Sequence, residues 1–173
     1  KLLELLVRML RPRNILEIGT FTGYSALCMA AGLEEGSVLD TVEVDDELEE
    51  IAASFFCRSP HGHKIRHHVG SALDIAPTLG CTFDLVFIDG DKREYPDYYR
   101  MLMGDSGTPA LVHPGSVLIA DNILWSGKVV EPVADNDRHT QALLQFNRMV
   151  LQDERVESVI VPIRDGLNLI RVK

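Results

Sequence analysis

Two short runs of the 173-residue chain place acids at the close of an apolar stretch. FIDGDKREY sets Asp89 at the mouth of residues 83–88, with Asp91 and Lys92 just beyond. LIADNILWSG sets Asp121 and Asn122 at the mouth of residues 116–120. If both stretches are neighbouring strands, Asp89, Asp121 and Asn122 converge. Three hard oxygen donors, with positions left for water and substrate, suit Mg2+ or another divalent cation such as Mn2+ or Ca2+. They suit a structural zinc site poorly, because zinc prefers Cys and His. Lys92, three residues past Asp89, reaches a hydroxyl held beside such a cation and would act as its base. One acid at a strand end is more often a helix cap or part of a solvated loop. Two such ends, one reading DxDK and the other DN, point to a metal.

EIGTFTGYS, residues 17–25, follows an apolar run and opens a helical pattern. Gly19 and Gly23 permit a tight turn and a close ligand approach, and a helix start offers unpaired N–H groups. The run is neither GxGxxG nor a phosphate-binding P-loop. Glu17 beside it would repel a diphosphate but suits a cationic, nucleotide-like ligand. S-adenosylmethionine (SAM), with its sulfonium and ammonium groups, fits. The plain alternative is a tight strand-to-helix turn with no ligand. Glu43, in TVEVDDE, lies about 20 residues past the glycine loop, where a carboxylate binds ribose hydroxyls; Asp45 or Asp46 would cap the next helix.

Those residues need elements to hold them. Residues 2–11 carry an apolar helical face that Arg11-Pro12 ends. Residues 14–18, 38–44, 65–69, 83–88 and 116–120 read as strands. The nearly continuous apolar character of 83–88 and 116–120 suits central parallel strands covered on both faces. Residues 23–33, 46–57 and 138–152 read as helices. Asp165-Gly166, between β-rich runs at 158–162 and 167–172, signals a hairpin. The alternation predicts a Rossmann-like α/β fold: a seven-stranded, mostly parallel sheet with a C-terminal antiparallel hairpin and helices on both faces.

Composition agrees with one soluble domain. Hydrophobic residues make up 46% and charged residues 25% of the chain, an ordinary globular balance. Gly, Pro or charge interrupts every apolar run before the ~18 residues of a spanning helix, and no signal-peptide pattern opens the sequence. The formal charge of −9 disfavours nonspecific nucleic-acid binding; Arg58, Lys64 and Arg66 are the one modest basic cluster. Cys28, Cys57 and Cys81 form no CxxC pair, which fits reduced thiols and a cytoplasmic location. His61, His63, His67 and His68 lie in a loop and on alternating faces of a strand, so they read as structural.

Taken in order, EIGTFTGYS, TVEVDDE, FIDGDKREY, ADNILWSGKVV and the closing DGLNLIRVK resemble the cation-dependent, SAM-dependent O-methyltransferases, the group of caffeoyl-CoA and catechol O-methyltransferases and their bacterial relatives. The resemblance implies that Glu17, Gly19, Phe21 and Ser25 surround the methionine part of SAM. It implies Glu43 on the ribose and Ser71 and Ala72 against the adenine. Asp89, Asp121 and Asn122 would hold the metal, Lys92 would be the general base, and Trp125 would lie near the acceptor. It further implies one methyltransferase domain over 1–173, lacking an N-terminal helical segment that in relatives helps cover SAM and build a homodimer. The expected reaction is metal-dependent methyl transfer to a hydroxyl of a catechol-like or phenolic small molecule. Methylation of a hydroxylated uridine in tRNA is a second reading, and a SAM-binding module without activity is a third. A nicotinamide-dependent dehydrogenase would require GxGxxG and a partner domain, and neither is present.

Overall fold

The longest apolar runs become the middle of a sheet. The computed structural model describes residues 1–105 and 107–173. Within them lie β1 (Asn14–Ile18), β2 (Val38–Glu43), β3 (Ile65–Val69), β4 (Phe83–Ile88), β5 (Val112–Asp121), β6 (Val156–Val161) and β7 (Leu167–Val172). Their order is β3-β2-β1-β4-β5-β7-β6. Strands β1 to β5 pair in parallel, and β7 runs antiparallel to both β5 and β6. The expected seven-stranded sheet is therefore present. Its antiparallel strand is inserted between two others, not appended at the edge.

Helices α1 (Leu2–Leu10), α2 (Tyr24–Ala30) and α3 (Glu49–Arg58) cover one face; α4 (Ala72–Ile75), α5 (Tyr95–Met103) and α6 (Arg138–Gln152) cover the other. Val7, Met29, Ala52 and Phe56 pack with Ile15, Leu39 and Leu85 on the first side. Tyr95, Leu102, Leu143 and Phe146 pack with Leu16, Ile18, Val86 and Ile88 on the second. Successive strand residues point to opposite faces, so Glu17 shares the face of Ile15, within the apolar layer under the first three helices. Among the described residues no helix is long and apolar enough to cross a membrane.

Three elements differ from expectation. The helix expected over 46–57 begins as a 3₁₀ turn at Asp46–Leu48, and Asp45 caps it by accepting from Glu47 N at 3.0 Å. Helix α2 stops at Ala30, short of residue 33. The strand expected over 116–120 reaches back to Val112. Phe83 pairs with Val112 and Leu85 with Val117, so the intervening residues of β5 bulge out. The bulge takes Pro114, which has no N–H, and Gly115, at φ 97°, out of the ladder. Ser116 Oγ closes it, donating to Phe83 O at 2.7 Å and accepting from His113 N at 3.0 Å.

Strand order reverses between β1 and β4. The chain leaves these adjacent strands toward opposite faces and opens a crevice at their carboxyl ends. Gly19 makes the crevice narrow. It sits at φ 97°, and a Cβ there would lie 2.5 Å from Asp89 O. Only glycine allows the first loop to lie this close to the end of β4. Gly19→Ala is expected to lower unfolding stability by about 2–4 kcal/mol, combining left-handed strain with a backbone clash. Urea denaturation checks this, and an unchanged midpoint would contradict the close approach.

Candidate active site

The crevice is a cleft of about 980 Å³. Gly19, Phe21, Ser25, Glu43, Ser71, Ala72, Asp89 and Asp121 all line it. Four strand ends and two helix starts thus bring together eight residues that are far apart in sequence. Glu17, Lys92, Asn122 and Trp125 are absent from the wall: the first two are buried behind it, and the last two lie on the segment beside it.

Glu17 lies behind the wall at 0% exposure. Its Oε2 accepts from Thr41 Oγ1 at 2.5 Å, and Thr41 Oγ1 lies 2.6 Å from Thr20 Oγ1. Among the described residues Oε1 has no hydrogen-bond partner. Burial pushes this carboxyl up to about 7; the Ser25 and Thr41 hydroxyls oppose the shift, and the charges of Asp89 and Glu43 add to it. An unpartnered buried oxygen beneath a cleft suits a cationic ligand.

Glu43 organises the loop above it. Its Oε2 accepts from Phe21 N at 2.7 Å and its Oε1 from Asp45 N at 3.0 Å. Phe21 itself sits at φ 49°, with 67% of its surface exposed at the rim. Each carboxylate oxygen keeps a further lone pair, and Glu43 lines the cleft. Gly70 N donates to Glu43 O at 2.7 Å, which draws Ser71 and Ala72 to the same wall.

Asp89 and Asp121 follow the paired residues Ile88 and Ala120 on neighbouring strands. Asp89 Oδ1 accepts from Lys92 Nζ at 2.8 Å. Asp121 Oδ1 accepts from Asn122 N at 2.6 Å. Burial pushes the Asp121 carboxyl up and Asp89's charge adds to this, while Asn122 N and Lys92 oppose it. Lys92 is 8% exposed, and its Nζ also donates to Tyr95 Oη at 2.8 Å. Burial pushes the Tyr95 phenol well up, so Tyr95 is a neutral hydroxyl. Among the described residues no cluster of three or more His, Cys, Asp or Glu side chains could hold a metal. The expected set has two carboxylates and one amide, an all-oxygen donor set suited to a hard cation that keeps its waters.

Asn122 and Trp125 lie beside the cleft on a strained segment, with φ of 59° and 48°. The β6–β7 turn clasps that segment. Ile123 N donates to Gly166 O at 3.2 Å and Leu124 N to Asp165 O at 3.0 Å; Asp165 Oδ1 accepts from Ser126 N. Trp125 stacks on His139 of α6, ring centroids 5.9 Å apart and planes 16° apart. The Asp-Gly pair signalled a hairpin, but nothing local signalled this clasp. Nor did local pattern reveal Thr41 or Tyr95, although Tyr95 follows Lys92 at the helical spacing of three. The basic cluster is diminished, because Lys64 is buried, donates to Leu33 O at 2.7 Å and pairs with Glu35 at 2.9 Å.

A family model described as O-methyltransferase matches residues 1–173. The caffeoyl-CoA O-methyltransferase of Petroselinum crispum is 30% identical over 180 residues, spanning 98% of this chain and 72% of that protein. The catechol O-methyltransferase of Niastella koreensis is 31% identical over 182 residues, spanning 100% and 79%. The crystal structure of the O-methyltransferase TomG from Streptomyces achromogenes, in complex with SAM, superposes with a TM-score of 0.89 at 34% identity, covering 99% of this chain and 78% of that one. The chain belongs to this family, the SAM-dependent O-methyltransferases of caffeoyl-CoA and catechol type.

Glu17 yields a pH prediction. Between the ordinary 4.5 and about 7, the folded chain holds a proton that the unfolded chain has released. Stability from this group therefore falls as pH rises through that window, by on the order of 3 kcal/mol. Denaturant titrations of the ligand-free protein at pH 5 and pH 8 should show the loss, and Glu17→Gln should flatten it.

Proposed function

We propose that this chain transfers a methyl group from SAM to one hydroxyl of a catechol-like or phenolic small molecule, and that the reaction needs a divalent cation. The observation that carries this reading is that Asp89 and Asp121 enter, from adjacent strand ends, the same cleft whose other wall is the glycine loop and Glu43. SAM is the bound ligand of TomG, and the Glu43, Asp89 and Asp121 carboxyls on the cleft wall suit its positive charge. Gly19, Phe21 and Ser25 would surround its methionine part, Glu43 its ribose, and Ser71 and Ala72 its adenine.

Asp89, Asp121 and Asn122 would hold the cation through oxygen atoms. When bound, the cation supplies Lewis acidity that acidifies an acceptor hydroxyl. Beside the cation, Lys92 would favour its neutral amine, which would keep two N–H donors for Asp89 and Tyr95, each at 2.8 Å, and take the hydroxyl proton on its free lone pair. Trp125 offers a flat apolar face to the acceptor ring. The acceptor oxygen then attacks the methyl carbon in line as the carbon–sulfur bond breaks, leaving S-adenosylhomocysteine. The cleft walls contribute by holding the two reactants at attack distance.

A labelled-SAM transfer assay against a catechol panel and bulk tRNA, with and without Mg2+, tests the reading. Asp121→Ala is expected to lose divalent-dependent turnover by more than about 100-fold, beyond the usual cost of losing an outer-shell partner, while retaining calorimetric SAM binding. Full activity of that variant in EDTA would refute the metal role. SAM binding by the unaltered chain without turnover on any acceptor would reduce it to a binding module.

A further inference from the structure

Tyr95 has no part in the reaction described above, yet its hydroxyl lies where the two acidic strand ends meet. The side chain is 0% exposed. Its ring is fixed edge-on by Phe146, with centroids 5.4 Å apart and planes 78° apart. Oη lies 3.0 Å from Ile88 O and 2.9 Å from Asp121 O, and donates its one proton between them. Ile88 is the last β4 residue paired to β5, and Asp121 is the last residue of β5. The hydroxyl therefore bridges the two strands where their parallel ladder stops. Its lone pairs face Lys92, whose Nζ donates to Oη at 2.8 Å and to Asp89 Oδ1 at the same distance.

One oxygen thus touches the main chain of Asp121, the main chain just before Asp89, and the amine beside Asp89. We propose that Tyr95 is a positioning residue: its hydroxyl sets the separation of the Asp89 and Asp121 strand ends and holds Lys92 Nζ against Asp89 at the edge of the cleft. This rests on the metal-and-lysine reading above. Core packing requires only an aromatic ring at this position. The hydroxyl is what the site requires, since a buried phenol needs a partner and here has three functional ones. Phenylalanine keeps the ring and its contact with Phe146 and removes only the bridge.

The test compares the intact chain, Tyr95→Phe, Lys92→Met and the double variant. The readouts are Mn2+ binding by electron paramagnetic resonance, and kcat and the SAM KM for methyl transfer. Tyr95→Phe is expected to weaken Mn2+ binding by about 10-fold and kcat by about 10–100-fold, as for loss of an outer-shell partner. Its SAM KM should stay unchanged, a split that general loosening of the core would not produce. At saturating Mn2+, Tyr95→Phe should add little further loss of kcat in the Lys92→Met background, where no amine is left to place, whereas its loss of Mn2+ affinity should persist there, because the bridge between strands does not involve Lys92. Wild-type Mn2+ affinity and kcat in Tyr95→Phe, or full additivity of the kcat losses with Lys92→Met, would overturn the proposal. If Tyr95→Phe melts, Lys92→Met alone decides. The bridge between strands survives there, so Mn2+ affinity must persist while kcat collapses, and loss of affinity overturns the proposal. If the intact chain binds no Mn2+, the metal reading itself fails, and the assignment of Tyr95 falls with it.

Discussion

Four carboxyl groups, Glu17, Glu43, Asp89 and Asp121, gather at the carboxyl ends of adjacent strands, at least partly sheltered from solvent. Like charges so placed repel strongly and lose hydration, and the local structure offsets each one separately. Glu17 is driven toward its neutral form by burial. Glu43 engages two main-chain N–H groups. Asp89 has the ammonium of Lys92, and Asp121 has one main-chain N–H and a carboxyl pushed up by burial. Among the described residues the cations near the cleft are already paired: Lys1 with Glu4, Arg93 with Asp91, and Lys92 with Asp89 and Tyr95. The cleft thus favours positive charge, which in the proposed reaction a sulfonium nucleoside and a hard divalent cation would both bring.

The scaffold that permits this gathering depends on a few close contacts. The reversal of strand order opens the crevice, and Gly19 lets its two sides approach to a separation that a Cβ would prevent. On the far side, β7 lies between β5 and β6, so the turn that precedes it reaches the segment carrying Asn122 and Trp125. The C-terminal hairpin is therefore part of the site's frame. Gly166 is needed there because a Cβ would lie 2.5 Å from Leu124 Cγ. The positive φ of Asn122, Trp125 and Ser126 is held by the hydrogen bonds from the β6–β7 turn, as backbone strain must be held by its surroundings.

Much of this was legible in the chain itself. Continuous apolar runs at 83–88 and 116–120 announced central parallel strands, and Asp-Gly announced the closing hairpin. Acids at the ends of such runs announced which side chains would line the cleft, because these rules depend on residue type and short spacing. The β5 bulge was not legible in the sequence, which placed the start of the strand at residue 116. Pro114-Gly115 carries the same local signature in either setting, and only pairing with Phe83 and Leu85 separates them.

What the sequence determined, then, is the inventory: which residues bear charge, where glycine frees the backbone, and the order of strands and helices. The depth of each group came only with the folded chain. Glu17 and Lys92 read as cleft residues, but the pleat turns Glu17 into the layer under α2, and Lys92 is drawn inward by Asp89 and Tyr95. The Tyr95 bridge and the Asp165 clasp join residues 26 and 39 positions apart. No local pattern encodes such contacts, because they exist only once the sheet has set the distance between its strands.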